Sequence, residues 1–327
     1  MGRRTSAGLA IAVILTLAAL SIIKALYGSR EIIQWKTTFP IMGTVASFTL
    51  YTDSESLAEE AAQKALAEFQ KIVSIANLYD KNSELSRLNA AAYEEDFICS
   101  PEMWELLMRS QQAYTDSNGF FDITVKPLMD LWGFYRKRGQ MPPSQPEIDE
   151  ALTKVGFSKL ILNPRKRSVR FSVPQMALDL GGIAKGYAAD RACDAITATG
   201  ITSGVIDLGG NLKLLPSPPP EKNFYTVGIR KPGTEGEIIA DMLMELPPGR
   251  AVATSGDYER FVVLNGKTYG HIINPQSGYP EANHAVTVVT STAFDADVFS
   301  TSAYLGKEKT AGSLKKKYPG TTFVFAK

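Results

Sequence analysis

Apolar and polar positions alternate with two periods along this chain, and one stretch near its start has none. From Ala7 to Ile23 no charged residue occurs; Arg3 and Arg4 precede the run, and Lys24 separates it from Ala25, Leu26 and Tyr27. At about 1.5 Å per residue such a run nearly spans a hydrocarbon core of about 30 Å, with Lys24 snorkelling to the far interface. The paired arginines hold the near end in the cytoplasm. Residues 1–30 are therefore expected to be a signal anchor, a single transmembrane helix, with the body on the extracytoplasmic, periplasmic side of the plasma membrane. A cleaved signal peptide with Ala19-Leu20-Ser21 as its small-x-small site is the alternative, and it places the body on the same side. Beyond this, Leu57, Ala61, Ala65, Phe69, Ile72 and Ala76 recur at helical spacing, with Ser56 and Glu59 as a capping box. Helices are also expected from Ser100-Pro101 to Asn118-Gly119 and from Ser144-Gln145-Pro146-Glu147 to near Gly156. Met42–Leu50 reads as a strand. Asn163-Pro164 turns between two short strands, and Asn265-Gly266 joins Phe261–Leu264 to Thr268–Ile272 as a hairpin. Pro216, Pro218, Pro219 and Pro220 mark an exposed loop where subdomains can meet.

Composition narrows the chemistry. The 327 residues carry 35 Lys+Arg against 34 Asp+Glu, so no global field draws the chain to nucleic acid. Two cysteines, Cys99 and Cys193, cannot build a disulfide framework or a cysteine-rich zinc site, and whether they pair is left open. Two histidines, His271 and His284, make the list of imidazole candidates short. The dinucleotide fingerprint G-x-G-x-x-G is absent, as are G-x-S-x-G and H-E-x-x-H, and Gly266-Lys267-Thr268 lacks the upstream glycine of a phosphate loop.

Two features remain. Asp179-Leu180-Gly181-Gly182 is echoed by Asp207-Leu208-Gly209-Gly210, and Ile183–Thr199 between them has helical composition, with Gly200 as its stop. Read as strand, glycine turn, helix, strand, glycine turn, this unit lets backbone approach a ligand and aims a helix N-terminus at an anion; two ordinary tight turns are the plainer reading. Further on, Asp295 and Asp297 precede Ser300 and Thr301. If Asp297 begins a helix, both hydroxyls lie on its face, and such oxygens suit a hard cation like Mg²⁺; a solvated helix cap is the alternative.

Six segments, in order, resemble the FAD:protein FMN transferases, the ApbE family of flavin transferases. They are Met42-Gly43-Thr44; Tyr79 with Ser83-Glu84-Leu85-Ser86-Arg87-Leu88-Asn89; Phe121-Asp122-Ile123-Thr124-Val125 with Pro127-Leu128 and Leu131-Trp132-Gly133-Phe134; Leu178 to Tyr187; Thr254-Ser255-Gly256-Asp257-Tyr258; and His271-Ile272-Ile273-Asn274-Pro275 with Gly278. Asn274 stands where aspartate is commoner in such sequences, and the segment between Thr301 and Gly306 is one residue shorter than their pattern.

The resemblance implies that residues 31–327 form one catalytic body that binds FAD as a substrate with Mg²⁺. FMN would pass to a Thr or Ser hydroxyl of an extracytoplasmic acceptor redox protein, releasing AMP. Asp297, Thr301, Ser300 and a carbonyl near Gly182 would hold the metal. Met42, Tyr79, Phe120, Phe121, Asp122, Asp179, Lys185 and Ile272 would contact FAD, and His271 would take the acceptor's proton. The expected fold is α/β (α+β): mixed sheets flanked by helices in two interleaved subdomains with the flavin between them. An FAD pyrophosphatase using water, and a non-catalytic flavin-binding protein, stay open as alternatives.

Overall fold

A seven-stranded sheet carries the molecule, and its hairpin turns gather at one end. The computed structural model describes residues 31–326 apart from 136–137, 231–237, 257–259 and 283. The expected anchor over 1–30, and Asp257 and Tyr258, lie outside the described residues. Among those described, no helix is long and apolar enough to cross a membrane.

The sheet runs in the order β1-β2-β6-β7-β10-β13-β14, with β1 Ile33–Ile41, β2 Thr44–Thr52, β6 Ser203–Leu208, β7 Asn211–Leu214, β10 Ala251–Gly256, β13 Ala285–Thr290 and β14 Thr322–Ala326. Where one strand is expected over Met42–Leu50, the chain turns at Met42-Gly43 (φ 54° and 72°) and β1 pairs back on β2 from Ile41↔Thr44 to Ile33↔Thr52. The ladders between named strands are antiparallel throughout the described residues; the parallel contact is an isolated bridge, Ser203↔Ser217. The expectation of sheets mixed in direction is therefore corrected: the ladders are antiparallel, which fits the α+β part of the expected class, and tight turns join β1 to β2 and β6 to β7.

Three helices cover one face: α1 (Glu55–Ala76), α6 (Ala184–Thr197) and α7 (Ala293–Lys317). The apolar stripe of α1 supplies Ala58, Ala61, Ala65, Phe69 and Ile72, all fully buried. Each large side chain so buried contributes on the order of 1.5–3 kcal/mol. Its cap is Ser54, whose Oγ accepts from Leu57 N–H, not Ser56, which instead hydrogen-bonds Ser54. Alternate positions of β13 serve both faces: Val286 and Val288 join the helices' core, while Val289 packs with Val252, Leu214 and Tyr225 beneath a ribbon of β8 (Tyr225–Arg230) and β9 (Ile238–Leu246). The proline-rich loop leads from β7 to that ribbon.

The remaining elements are α2 (Glu84–Ala91), β3 (Phe97–Ile98), α3 (Pro101–Asp116), α4 (Lys126–Leu131), α5 (Gln145–Leu152), β4 (Leu160–Asn163), β5 (Ser168–Phe171) and the hairpin β11 (Phe261–Leu264)–β12 (Lys267–Gly270). The expected α5 start at Ser144 carries a Ser144/Glu147 capping box, and the expected Asn265-Gly266 hairpin forms. A second cluster, with Leu128, Trp132, Ile148 and Leu264, binds α4 and α5 to that hairpin. Asn274 closes a local turn, its Oδ1 accepting from Gln276 N–H at 2.9 Å. Cys99 and Cys193 are separate buried thiols, pushed up by burial to about 12 and about 11.

Candidate functional site

The helical layer and the α4–α5–hairpin cluster leave between them a cleft of about 1140 Å³. Its base is where the sheet's turns gather: Met42-Gly43, Gly209-Gly210 and the end of β10.

One wall is the crossing of α6 and α7. Gly186 permits it, since a Cβ there would lie 2.3 Å from the Ala293 carbonyl oxygen and 2.9 Å from Asp297 Cβ. Asp190 braces the same crossing by accepting from the N–H groups of Ala293 and Phe294 at 2.8 and 2.9 Å. Helix α7 starts at Thr292, whose Oγ1 accepts from Asp295 N–H, so Asp297 does not begin the helix but sits inside its second turn. Its carboxylate therefore points sideways, and Oδ2 accepts from Gly186 N–H at 3.0 Å. Thr301 comes one turn later, its Oγ1 4.0 Å from where a Cβ on Gly182 would lie. Ser300 stands apart from the other expected metal ligands. It is fully buried, off the cleft wall, and its hydroxyl donates to the Asp297 carbonyl (3.0 Å) and pairs with Ser255 Oγ (2.8 Å). Ser255 also reaches Thr301 Oγ1 at 3.2 Å, so β10 fixes the rotamers on α7. After Leu305 the helix breaks at Lys307 (φ 54°), near the point where the chain is one residue short.

Lys185 enters the cleft from the first turn of α6. Asp179 accepts from Gly181 N–H (2.8 Å) on Oδ1 and from the Tyr135 hydroxyl (2.6 Å) on Oδ2. Burial and the neighbouring Asp179 charge push the Tyr135 phenol upward, so it stays a donor. Asp122 borders the cleft, but Thr124 takes one carboxylate oxygen and Phe157 N–H the other, so it shapes the wall. Burial raises its pKa against those bonds. Phe121 packs its ring toward Gly182, and Phe120 lies by Gly306.

The opposite wall carries His271, one residue beyond β12, and the buried Ile272. His271 Nδ1 lies 3.2 Å from the Arg260 carbonyl oxygen, a contact that suits a hydrogen on Nδ1. Tyr79 is 72% exposed, an unusual setting for a large ring, yet Arg260 Nη2 donates to its hydroxyl at 2.9 Å. Met42 lies on the cleft's base.

All the expected site residues except Ser300 thus border one cleft. Sequence reasoning misses Tyr135, Arg260 and the linking role of Ser255. Tyr135 stands directly after the Leu131-Trp132-Gly133-Phe134 segment and Ser255 lies inside Thr254-Ser255-Gly256, so adjacency is a signal for both. Arg260 has none.

The profile of the ApbE family matches residues 42–325. The chain belongs to the ApbE family. Among curated ApbE-type relatives, it is 30% identical over 282 residues to an FAD:protein FMN transferase of Klebsiella pneumoniae (85% of this chain, 84% of that one). It is likewise 30% identical to one of Haemophilus influenzae (79% and 77%). Among solved structures it resembles the ApbE protein of Thermotoga maritima (TM-score 0.81, 28% identity, 90% of this chain and 94% of that one). It also resembles the flavin transferase ApbE of Vibrio cholerae (TM-score 0.76, 25% identity, 90% and 94%).

The donor set fits a hard cation. No cluster of three or more His, Cys, Asp or Glu occurs among the described residues. The wall offers instead one carboxylate and one hydroxyl beside backbone at Gly182, a sparse oxygen set of the kind Mg²⁺ completes with water and phosphate oxygens.

Proposed function

We propose that the protein is an FAD:protein FMN transferase that moves FMN from FAD to a Thr or Ser hydroxyl of a partner redox protein, with release of AMP. The observation that carries this reading is that Gly182, Lys185, Asp297 and Thr301 line the same cleft as His271 and Tyr79. The acceptor oxygen attacks the phosphorus on the FMN side of the pyrophosphate, a P–O bond forms, and the bond to the AMP oxygen breaks. His271 Nε2 takes the hydroxyl proton, a step worth about 10²–10⁴ in rate. Lys185 holds phosphoryl oxygens as negative charge concentrates on them. Asp297 and Thr301 would hold a divalent cation, and the chemistry it would supply there is further neutralisation of that charge. Tyr79 and Met42 offer faces for the flavin ring, while Asp179, locked by Tyr135, presents a fixed carboxylate edge for polar contacts. Residues 1–30 anchor the enzyme so that this chemistry takes place outside the cytoplasm, on acceptors at the membrane.

The test is mass spectrometry after incubating the protein with FAD, Mg²⁺ and candidate acceptor domains. An acceptor heavier by FMN, with AMP released in equal amount, is expected. Release of free FMN and AMP with no need of an acceptor would make water the nucleophile and replace the transferase reading.

A further inference from the structure

The geometry points to Arg260 as a positioning residue that locks the flavin-facing ring of Tyr79 and the proton-accepting His271 into one relative arrangement. This inference rests on the flavin-transfer reading above. Arg260 sits where β10 gives way to β11, and its two ends do different things. Its side chain donates to the Tyr79 hydroxyl at 2.9 Å and to the Phe134 carbonyl, with the guanidinium 4.8 Å from the centre of the Tyr135 ring. Its own carbonyl accepts from His271 N–H at 3.1 Å and faces His271 Nδ1 at 3.2 Å. One residue therefore ties together the loop after α1, the segment after α4 and the end of the β11–β12 hairpin.

The tie answers a physical problem. Tyr79 is 72% exposed, so burial does not fix its ring, and a free side chain of this size loses rotamer entropy when a ligand stacks on it. Its ring lies 5.7 Å from that of Tyr135, which in turn is held by Asp179. A planar guanidinium can meet the phenol oxygen, the carbonyl and the ring face together; an ammonium is a point charge and cannot. Tyr79 is thus ordered before flavin arrives, by a residue whose carbonyl also contacts His271 through its backbone N–H and Nδ1.

Two variants of the full chain, R260M and Y79F, test this. In the ligand-free protein, amide exchange over residues 77–81 should quicken about tenfold in R260M and about threefold in Y79F. In transfer assays Y79F should raise KM for FAD about threefold and leave kcat within about twofold, whereas R260M should raise that KM and lower kcat, each about tenfold. Emission of bound flavin should rise in R260M, because an electron-rich phenol held against the ring quenches it. Unchanged exchange over 77–81, or an R260M no different from Y79F, overturns the proposal. If R260M does not fold by circular dichroism, exchange in Y79F decides alone, and no change there overturns it. If the wild-type protein neither binds FAD nor transfers FMN, the flavin reading fails, while the exchange comparison still reports on the Arg260 tie.

Discussion

Asp179-Leu180-Gly181-Gly182 and Asp207-Leu208-Gly209-Gly210 are the same four residues, yet they fold into different objects. In the first, neither glycine has a positive φ; Asp179 caps Gly181 N–H two residues on, and Ile183 and Ala184 N–H both return to the Leu180 carbonyl, so the chain winds into α6. In the second, Gly209 and Gly210 have φ of 61° and 88°, Asp207 Oδ1 reaches Gly210 N–H at 2.8 Å, and the chain doubles back from β6 into β7. The residues C-terminal to each string decide its form. Ile183-Ala184-Lys185 continues as a helix, whereas Asn211-Leu212-Lys213-Leu214 continues as a strand. The glycines are needed for different reasons too: closeness to Phe121 and Thr301 at Gly182, and left-handed backbone against Thr44 at Gly209. Both turns line the cleft; the proposed function gives the first a part in its chemistry and leaves the second to hold up its base.

The largest effect should come from the partner of the first turn. Asp297→Ala removes a carboxylate from the cleft and leaves Gly186 N–H without its acceptor in a buried crossing. Transfer should fall at least about 10³-fold and stop responding to added Mg²⁺, with stability lowered by about 1–3 kcal/mol. Asp297→Asn retains an oxygen for Gly186 and separates the two effects: activity should still collapse while the urea midpoint stays near wild type. A transfer rate in Asp297→Asn within about tenfold of wild type would detach this wall from the reaction.

Next is the second turn. Gly209→Ala forces a Cβ to 2.5 Å from Thr44 Oγ1 at a φ of 61°. Overpacking and left-handed strain together should cost about 2–4 kcal/mol, read as a lower denaturant midpoint. The rate of the enzyme that remains folded should change little. Gly182→Ala should reverse that profile. Its φ is not positive and its Cβ meets the Phe121 ring at 3.3 Å, so stability should drop by only about 1 kcal/mol. The added methyl lies 4.0 Å from Thr301 Oγ1, beside the oxygens that the proposed function assigns to the phosphate site, and transfer should slow about 10–100-fold. If both alanine variants lose stability and rate in the same proportion, the contrast between the turns is wrong.

The same contrast shows how far the residues alone can be read. Helices α1, α3 and α5 are legible because their signals are local: apolar spacing, a serine cap, a proline in the first turn. Even there, two nearby serines displace the expected α1 cap by two residues. The strand expected from Met42 is β2, which starts two residues later; β1 before it goes unread, and the turn between them falls at Met42, which adopts a left-handed φ that methionine rarely does. Asp297 reads as a helix start because Asp-x-x-Ser is what a cap looks like; Thr292 and Asp295 have already formed the cap one turn earlier. The cleft's membership is legible through ordered motifs, but its wiring is not. Asp297–Gly186, Ser255–Ser300 and Arg260–Tyr79 join residues far apart in the chain, and no local period records which of them meet.

The smallest expected effect isolates backbone strain from everything else in the comparison. Gly210 has φ 88°, but a Cβ there would meet nothing within 4 Å, and its N–H already bonds Asp207. Gly210→Ala should therefore cost only the left-handed strain of an L-residue, about 1–2 kcal/mol, with little loss of transfer rate. Gly210→Asn should recover part of that cost, because asparagine tolerates the left-handed region better than alanine. The ordering Gly, then Asn, then Ala in denaturant midpoint, at constant transfer rate, is what a turn acting through its backbone alone produces. An asparagine no better than alanine would mean that Gly210 is needed for space, as Gly209 is, and that something in the bound state occupies the opening above it.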